Sequence, residues 1–401
     1  MDTRGPALIF KLVRMRNLFL LLLSLAFFAC DGAQETTEST TSDAPDRAAD
    51  GEATMMLTAA GVEAETVFNF EDIIWGFTWL PDGRMIGTVK DGRLLLIDGD
   101  SSSLITGVPE VRDAGQGGLL DVLLDQDFAA NRYVYRTWSR PEDGGDIGFT
   151  SVGRGRLSDD GSQLEEFEHL YDGGPATDPG HHYGSRMVWG PDGYLYFTIG
   201  DRGNRDVNPQ DTTRDGGKVY RITADGEIPA DNPFVGVANA KEAIYSYGHR
   251  NLQGLAVHPE TGAIWENEHG PRGGDEVNII EAGKNYGWPV ITYGINYDGS
   301  QITEEVAKSG MEQPFHYWVP SIAPSGMAFV TGDRYPGWEG DLLVGSLKFS
   351  YLKLVHLDGD NVTGEQDIIK NIGRVRDVRM GPDGYIYASI EGTGIVRVVP
   401  V

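Results

Sequence analysis

The chain has 401 residues and sets 33 lysines and arginines against 60 acids, a formal charge of -27, which argues against nucleic acid as a partner because a polyanion is recognised by clustered cations. Its 54 glycines and 40% hydrophobic content disfavour a helical bundle and predict many tight turns. A single cysteine excludes an internal disulfide, thiolate zinc sites, iron-sulfur clusters and haem attachment, so redox or metal chemistry here must use oxygen and nitrogen donors or an organic cofactor.

Arg4, Lys11, Arg14 and Arg16 precede the apolar run Leu18 to Ala29 of 12 residues. A spanning helix needs about 20 residues, so residues 1–29 read as an export signal, with Met15 as an alternative start. Cys30 follows Ala29 directly and resembles the acylated cysteine of bacterial lipoproteins, which implies a lipid anchor and a periplasmic or cell-envelope location. An ordinary export signal with Cys30 near the cut is the alternative. Residues 30–61 hold seven acids against Arg47 and read as a disordered tether. Loss of residues 1–29, with four cations and Asp2, takes the charge from -27 to -30.

From Val62 onward, short β-branched and aromatic runs alternate with Gly and Pro-Asp-Gly breaks, the pattern of strands and hairpins. One unit recurs at Trp79-Leu-Pro-Asp-Gly, Trp189-Gly-Pro-Asp-Gly, Val257-His-Pro-Glu-Thr-Gly and Met380-Gly-Pro-Asp-Gly. Its prolines fall at 81, 191, 259 and 382, gaps of 110, 68 and 123, which approximate two, one and two units of ~57 residues. The copies then occupy units 1, 3, 4 and 6, with Leu120 to Phe128 and Gly326 to Val330 opening units 2 and 5. Residues 62–401 divided by six give the same ~57, the size of a four-stranded blade with insertions. This predicts an all-β, six-bladed β-propeller whose site lies in the loops at one end of the channel.

Several loops carry more polar chemistry than turns need. Gly115-Gln116-Gly-Gly places one amide among glycines that admit close approach to a ligand, although a turn between blades looks the same. His182 and Asp201, at the edges of neighbouring strands, could form an oriented base, or His182 could be a capped surface residue. The segments Gly248-His-Arg250-Asn251, Asn267-Glu-His269-Gly270-Pro271 with Asp275-Glu276, and Asn285-Tyr286-Gly-Trp-Pro are oxygen-rich in the way calcium favours, or they form an acidic surface turn. Lys348, Arg374 and Arg376 add cations, the two arginines on one side of a strand.

In that order these motifs resemble the soluble quinoprotein aldose sugar dehydrogenases, the glucose/sorbosone dehydrogenase family, over nearly all of residues 70–400. The resemblance implies a propeller that binds pyrroloquinoline quinone (PQQ) and calcium (Ca2+) and oxidises the anomeric hydroxyl of an aldose to a lactone. It implies that His182 takes the C1 hydroxyl proton while hydride passes to the quinone C5, that Asp201 orients it, and that Arg250 stabilises charge on the quinone oxygen. Gln116, Asn251, His269, Lys348, Arg374 and Arg376 match cofactor-contacting positions. Gly270 and Pro271 match carbonyl ligands of one calcium; Glu276 and the Tyr286 carbonyl match a second, structural site. Two departures bear on the sugar. His269 stands where well-known members have glutamine, and His316 to Ser321 loosely matches an aromatic wall over the cofactor. The short segment after Pro289 implies an open sugar site and broad aldose specificity. With no haem motif in the chain, electrons must leave to a separate acceptor. A calcium-dependent lactonase would need no cationic cluster, and a non-catalytic recognition propeller would not need Gln116, His182, Arg250 and Lys348 together.

Overall fold

A computed structural model describes residues 61–401; the signal segment, Cys30 and the tether up to residue 60 lie outside the described residues. It contains 24 strands in six four-stranded antiparallel sheets. β1 (Val62–Asn69) opens the domain. Blade 1 is β2 (Ile74–Trp79), β3 (Met85–Val89), β4 (Leu94–Asp98) and β5 (Ser101–Ile105). Blade 2 is β6 (Leu119–Leu124), β7 (Tyr133–Glu142), β8 (Ile147–Leu157) and β9 (Leu164–Asp172); blade 3 is β10 (Met187–Trp189), β11 (Leu195–Ile199), β12 (Lys218–Ile222) and β13 (Ile244–Tyr247). Blade 4 is β14 (Leu252–Val257), β15 (Ile264–Glu268), β16 (Asp275–Ile280) and β17 (His316–Trp318), and blade 5 is β18 (Pro324–Phe329), β19 (Leu342–Ser346), β20 (Tyr351–Asp358) and β21 (Asn361–Ile368). Blade 6 is β22 (Val375–Met380), β23 (Ile386–Ile390) and β24 (Gly394–Pro400), completed by β1, which pairs with β24 from Val62↔Pro400 to Asn69↔Gly394. The six-bladed propeller is the fold expected from the repeat. An even division of the chain does not anticipate this closure, in which the first strand leaves its own neighbours to finish the last blade.

The recurring Pro-Asp-Gly units join the innermost strand of blades 1, 3 and 6 to the second strand. In each, the aspartate accepts the amide two residues on (Arg84, Tyr194 and Tyr385), and the glycine takes φ of 91°, 79° and 77°. That combination of a side-chain acceptor and a left-handed residue is what the turn requires. Apolar residues pack between blades, not around the axis. One cluster joins Leu80 and Ile86 of blade 1 to Leu119 and Val122 of blade 2, another Tyr196 and Val219 of blade 3 to Leu252 and Ile264 of blade 4.

The channel itself is closed by charge. Arg186 lies 2.8 Å from Asp377 and 3.4 Å from Asp121, and Arg379 pairs with both carboxylates. Arg186 also donates to the carbonyls of Gln253 at 2.7 Å and Arg376 at 2.8 Å. The pairing of buried ions with further hydrogen bonds is what makes such a cluster tolerable away from water, and it ties blades 2, 3, 4 and 6 together. Because the Pro-Asp-Gly turns occupy the opposite end, the segments entering each innermost strand and those joining second to third strands gather at one end of the channel.

Candidate active site

A cavity of about 790 Å3 opens at that end, lined by Lys90, Gln116, Asn251, His269, Pro271, Lys348, Arg374 and Arg376 among others. Its size falls within the ~300–1,000 Å3 of small-molecule sites. The cationic side comes from the entry to β22 and the loop after β19. Arg374 and Arg376 both bond the Glu391 carboxylate, Arg374 Nε at 2.7 Å. Burial disfavours the Arg376 guanidinium charge, while the facing Glu391 supports it. Lys90, paired with Asp113, and Arg272 add two cations that sequence reasoning missed. Their signal was weak, since both stand beside turn glycines or acids like many surface residues. Trp75, at the start of β2, gives the cavity an aromatic wall and carries Arg186 4.2 Å above its ring centroid.

A second cavity of about 380 Å3 adjoins the first, sharing Gln116, Pro271 and Tyr297 with it. It is lined also by His181, His182, Asp201, Arg205, Arg250, Trp288 and Asn296. His182 Nδ1 lies 2.6 Å from Asp201 Oδ1, and Asp201 Oδ2 accepts the Trp288 indole N–H at 2.9 Å. A carboxylate only accepts, so Nδ1 carries the proton and Nε2 is left as the free basic nitrogen. Burial holds the His182 imidazole below its ordinary value, opposed by the Asp201 hydrogen bond and reinforced by Arg250. Burial would raise Asp201, but the hydrogen bond from His182 prevails and keeps it low.

The backbone here is over-determined. His182 and Arg202 hold φ of 56° without being glycine, a conformation that persists only when its surroundings enforce it. Gln116 Oε1 accepts the His182 amide at 2.8 Å, and the Gln116 amide bonds Gly180 O at 2.6 Å. The preceding Gly115 has φ of 61°, and a Cβ there would meet Gly180 O at 2.2 Å, so only glycine lets these two loops touch.

Arg250 donates from Nη1 to the carbonyls of His269 (2.8 Å) and Gly270 (3.0 Å), with its guanidinium 5.4 Å from the Trp288 ring. His269 is held neutral, pushed down to about 3 by burial and then by Arg250, and its Nε2 bonds Pro324 O at 2.6 Å. The loop carrying Gly270 and Pro271 is pinned by the buried Asp275, whose carboxylate takes the Gly270, Ile322 and Ala323 amides and the Ser321 hydroxyl. Asp275 is thus a loop anchor with its oxygens already engaged.

Glu276 and Tyr286 meet at a small void of about 10 Å3, lined also by Glu268, Gly270 and Thr292, the room of one water-sized occupant at ~10–15 Å3. Behind it His249, Glu266 and Glu268 bring their ligand atoms within 4.8 Å of one another. Burial would lower His249, but the carboxylates at 3.4 and 3.1 Å push it up to about 9. Burial raises Glu266 to about 7 and Glu276 well above the usual carboxylate range. The buried Glu266 Oε2 and Asn278 Oδ1 have no hydrogen-bond partner. The void itself is lined by the carboxylates of Glu268 and Glu276, hard oxygen donors of the kind calcium takes.

The segment His316 to Ser321, only a loose match to the family's aromatic wall, sends few side chains to the cavity. His316 and Trp318 turn to Glu365 of blade 5, because β17 pairs with β16 in register and spends these side chains against the neighbouring blade. Only Ser321 of that segment lines the larger cavity. The exposed ring at the junction of the two cavities is Tyr297, delivered by residues 281–315, the long connection between β16 and β17; the segment after Pro289, expected to be short, thus runs from 290 to 315 before the next strand and lies against the cavities. That connection runs beside blade 3 through the Tyr247–Asn285 bridge, a path no local pattern announces.

The profile of Glucose / Sorbosone dehydrogenase matches residues 71–397. "Aldose sugar dehydrogenase YliI" of Escherichia coli K12 is 44% identical over 334 residues, 82% of this chain and 90% of that protein. "Quinoprotein glucose dehydrogenase B" of Acinetobacter calcoaceticus is 31% identical, covering 80% of this chain and 83% of its own. Among solved structures, the apo form of the soluble aldose sugar dehydrogenase from E. coli superposes with a TM-score of 0.80 at 40% identity, over 85% of this chain and 100% of that one. The PQQ-bound aldose sugar dehydrogenase from Streptomyces coelicolor gives 0.70 at 27% identity, over 85% and 99%. The chain is a member of the glucose/sorbosone dehydrogenase family.

Proposed function

We propose that this protein is a quinoprotein aldose sugar dehydrogenase, oxidising the C1 hydroxyl of an aldose to the lactone with PQQ and calcium. The observation that carries the reading is the cation-lined 790 Å3 cavity directly adjoining the His182–Asp201 pair. A planar tricarboxylate needs such cations in an otherwise acidic protein, and Lys348, Arg374 and Arg376 with Gln116 and Asn251 would hold it, His269 lying at its edge. When bound, PQQ supplies the hydride acceptor and calcium at the Gly270 and Pro271 carbonyls the Lewis acidity that polarises it.

The chain's own residues do the rest. The sugar enters the smaller cavity with its C1 hydroxyl toward His182 Nε2, which removes the proton as C1 gives up hydride. Asp201 keeps the imidazole in the tautomer that accepts at Nε2 and offsets the charge it acquires. Trp288 fixes the second oxygen of Asp201, so the pair cannot rotate away. Arg250, held by two carbonyls, presents a preorganised positive charge to the oxygen on which negative charge develops. Electrons then leave to a separate acceptor. The protein acts after export, with Cys30 as its lipid anchor.

Reconstitution tests this. Apoprotein mixed with PQQ and calcium should reduce a dye on addition of an aldose; binding of PQQ without sugar-dependent reduction would falsify the reading. Lys348→Ala should weaken PQQ affinity about tenfold, as expected for one charge-assisted contact, measured by the absorbance of bound cofactor.

A further inference from the structure

Three innermost strands line the 790 Å3 cavity and, one or two residues further on, another cavity below it. Leu120 of β6, Gln253 of β14 and Arg376 of β22 face the first; Asp121, Leu255 and Asp377 face the other, of about 270 Å3. At about 3.3 Å for each strand residue, the two stand end to end in the channel with a partition of ~3–7 Å between them. The partition is the Arg–Asp plug. Arg186 lines the far cavity and lies 4.2 Å above the ring of Trp75, which lines the near one.

The far cavity opens at the end of the Pro-Asp-Gly turns, where Pro259 borders it. Its walls are Leu123, Leu255, Phe329 and the thioethers of Met187, Met327 and Met380, side chains that pack well on a planar ring. Its floor is polar at one point. The side chains of Asp121, Asp377 and Arg186 are 1%, 3% and 4% exposed, whereas that of Arg379 is 20% exposed. Arg379 donates to Asp377, to Val122 O and to Asp121. A guanidinium has five N–H groups, so among the described residues two are left for an acceptor oxygen in the cavity. Apolar walls around one convergent donor describe a small-molecule site. At ~10–15 Å3 for each water-sized unit, the volume takes roughly twenty heavy atoms, the size of a substituted quinone ring with the first unit of its tail.

The mouth favours a ligand that arrives from lipid. Ile228, Val235 and Val237, on the connection from β12 to β13 at this end, are 41%, 39% and 48% exposed. Val62, opposite Pro400, begins β1 here too, so the tether that carries Cys30 joins the domain at this end.

We propose that the far cavity binds a lipid-soluble quinone, held at a carbonyl oxygen by Arg379, and that this quinone is the separate acceptor of the electrons taken from the sugar. The inference rests on the aldose-oxidising reading above and names its acceptor. Each aldose oxidised leaves two electrons and two protons in the upper part of the channel. The electrons cross the partition, the protons leave to water from the upper cavity, and the quinone takes up two protons from water at its own mouth and departs as the quinol.

Calorimetry with decylubiquinone tests the site without turnover. The apoprotein should bind it, and saturation with PQQ should leave its affinity within about twofold, because the two ligands occupy different cavities; displacement by PQQ overturns the site. Ala328→Phe, which sets a ring into the cavity from its wall, and Thr331→Trp at its mouth should each weaken binding about tenfold. In the reconstituted enzyme, aldose should reduce decylubiquinone, and both variants should lower kcat/KM for the quinone about tenfold while dye reduction stays within about twofold of the parent. Unaltered quinone affinity in both variants overturns the site, and a parent that reduces the dye but not the bound quinone overturns the acceptor role. A parent that reduces neither overturns the dehydrogenase reading instead, and binding to the apoprotein still decides the cavity.

Discussion

Replacing Asp201 by asparagine tests the base without changing its shape. In the parent, Oδ1 accepts from His182 Nδ1 at 2.6 Å and from the Gly203 amide at 2.8 Å, while Oδ2 accepts from Trp288 Nε1 at 2.9 Å. Every neighbour is a donor, so an amide cannot satisfy both sides. With its NH2 toward His182 it forces the proton onto Nε2 and abolishes the base; with its NH2 toward Trp288 it opposes an indole N–H and removes the charge that stabilises the imidazolium. Either arrangement forfeits the proton-transfer advantage of about 10²–10⁴, roughly 3–5 kcal/mol on the barrier. The pH profile gives an independent readout. His182 acts when neutral, and its imidazole is already depressed by burial and by Arg250 against the support of Asp201. The acid limb of kcat/KM therefore lies below the ordinary histidine value of about 6.5, and in Asp201→Asn it moves lower still because the opposing carboxylate charge is gone. Steady-state dye reduction across pH measures both. Turnover within about threefold of the parent, or an acid limb that moves upward, would refute the orienting role.

Three further outcomes follow from the geometry. Asp377→Ala strips one of two carboxylates from the channel plug and leaves Arg186 and Arg379 competing for Asp121; urea unfolding should show a loss of about 3–5 kcal/mol, and a loss below about 1 kcal/mol would mean water replaces the ion pair. Calcium removal should lower the melting temperature, since an ion at 100-fold its dissociation constant contributes about 2.7 kcal/mol, and Glu276→Gln should reduce the response to added calcium. Burial works against ionisation of Glu365, but hydrogen bonds from His316 and Lys353 hold it down at about 2. Its contribution is present above the unfolded value of about 4.3 and is lost as pH falls through about 2, so Glu365→Gln should cost about 1 kcal/mol at neutral pH after solvent screening and converge on the parent as acid is added.

Much of the site was legible because its chemistry is concentrated in motifs. His182, Asp201, Arg250, Lys348, Arg374 and Arg376 each stand in a short segment whose polar content exceeds what a turn needs, and the structure gathers all of them at one end of the channel. Lys90, Arg272 and Trp75 were not legible, since each is a single residue beside an ordinary turn. Asp275 shows the reverse error: its acidic company suggests a cation, yet four hydrogen bonds within the protein already use it. The loose match of His316 to Ser321 to an aromatic wall has its reason in a strand's pairing, invisible locally, which sets the face its rings take.

The sequence by itself determined the repeat and the strongly acidic charge against which a few cations stand out, because turn chemistry and charge are local properties of the residues. Only the tertiary structure decided that β1 closes the last blade, that an Arg–Asp plug seals the channel, that His249, Glu266 and Glu268 converge, and that Tyr297 stands between the two cavities. Each of these joins segments far apart in the chain, and such pairings are set by the circular packing of blades against one another, which no window of sequence contains.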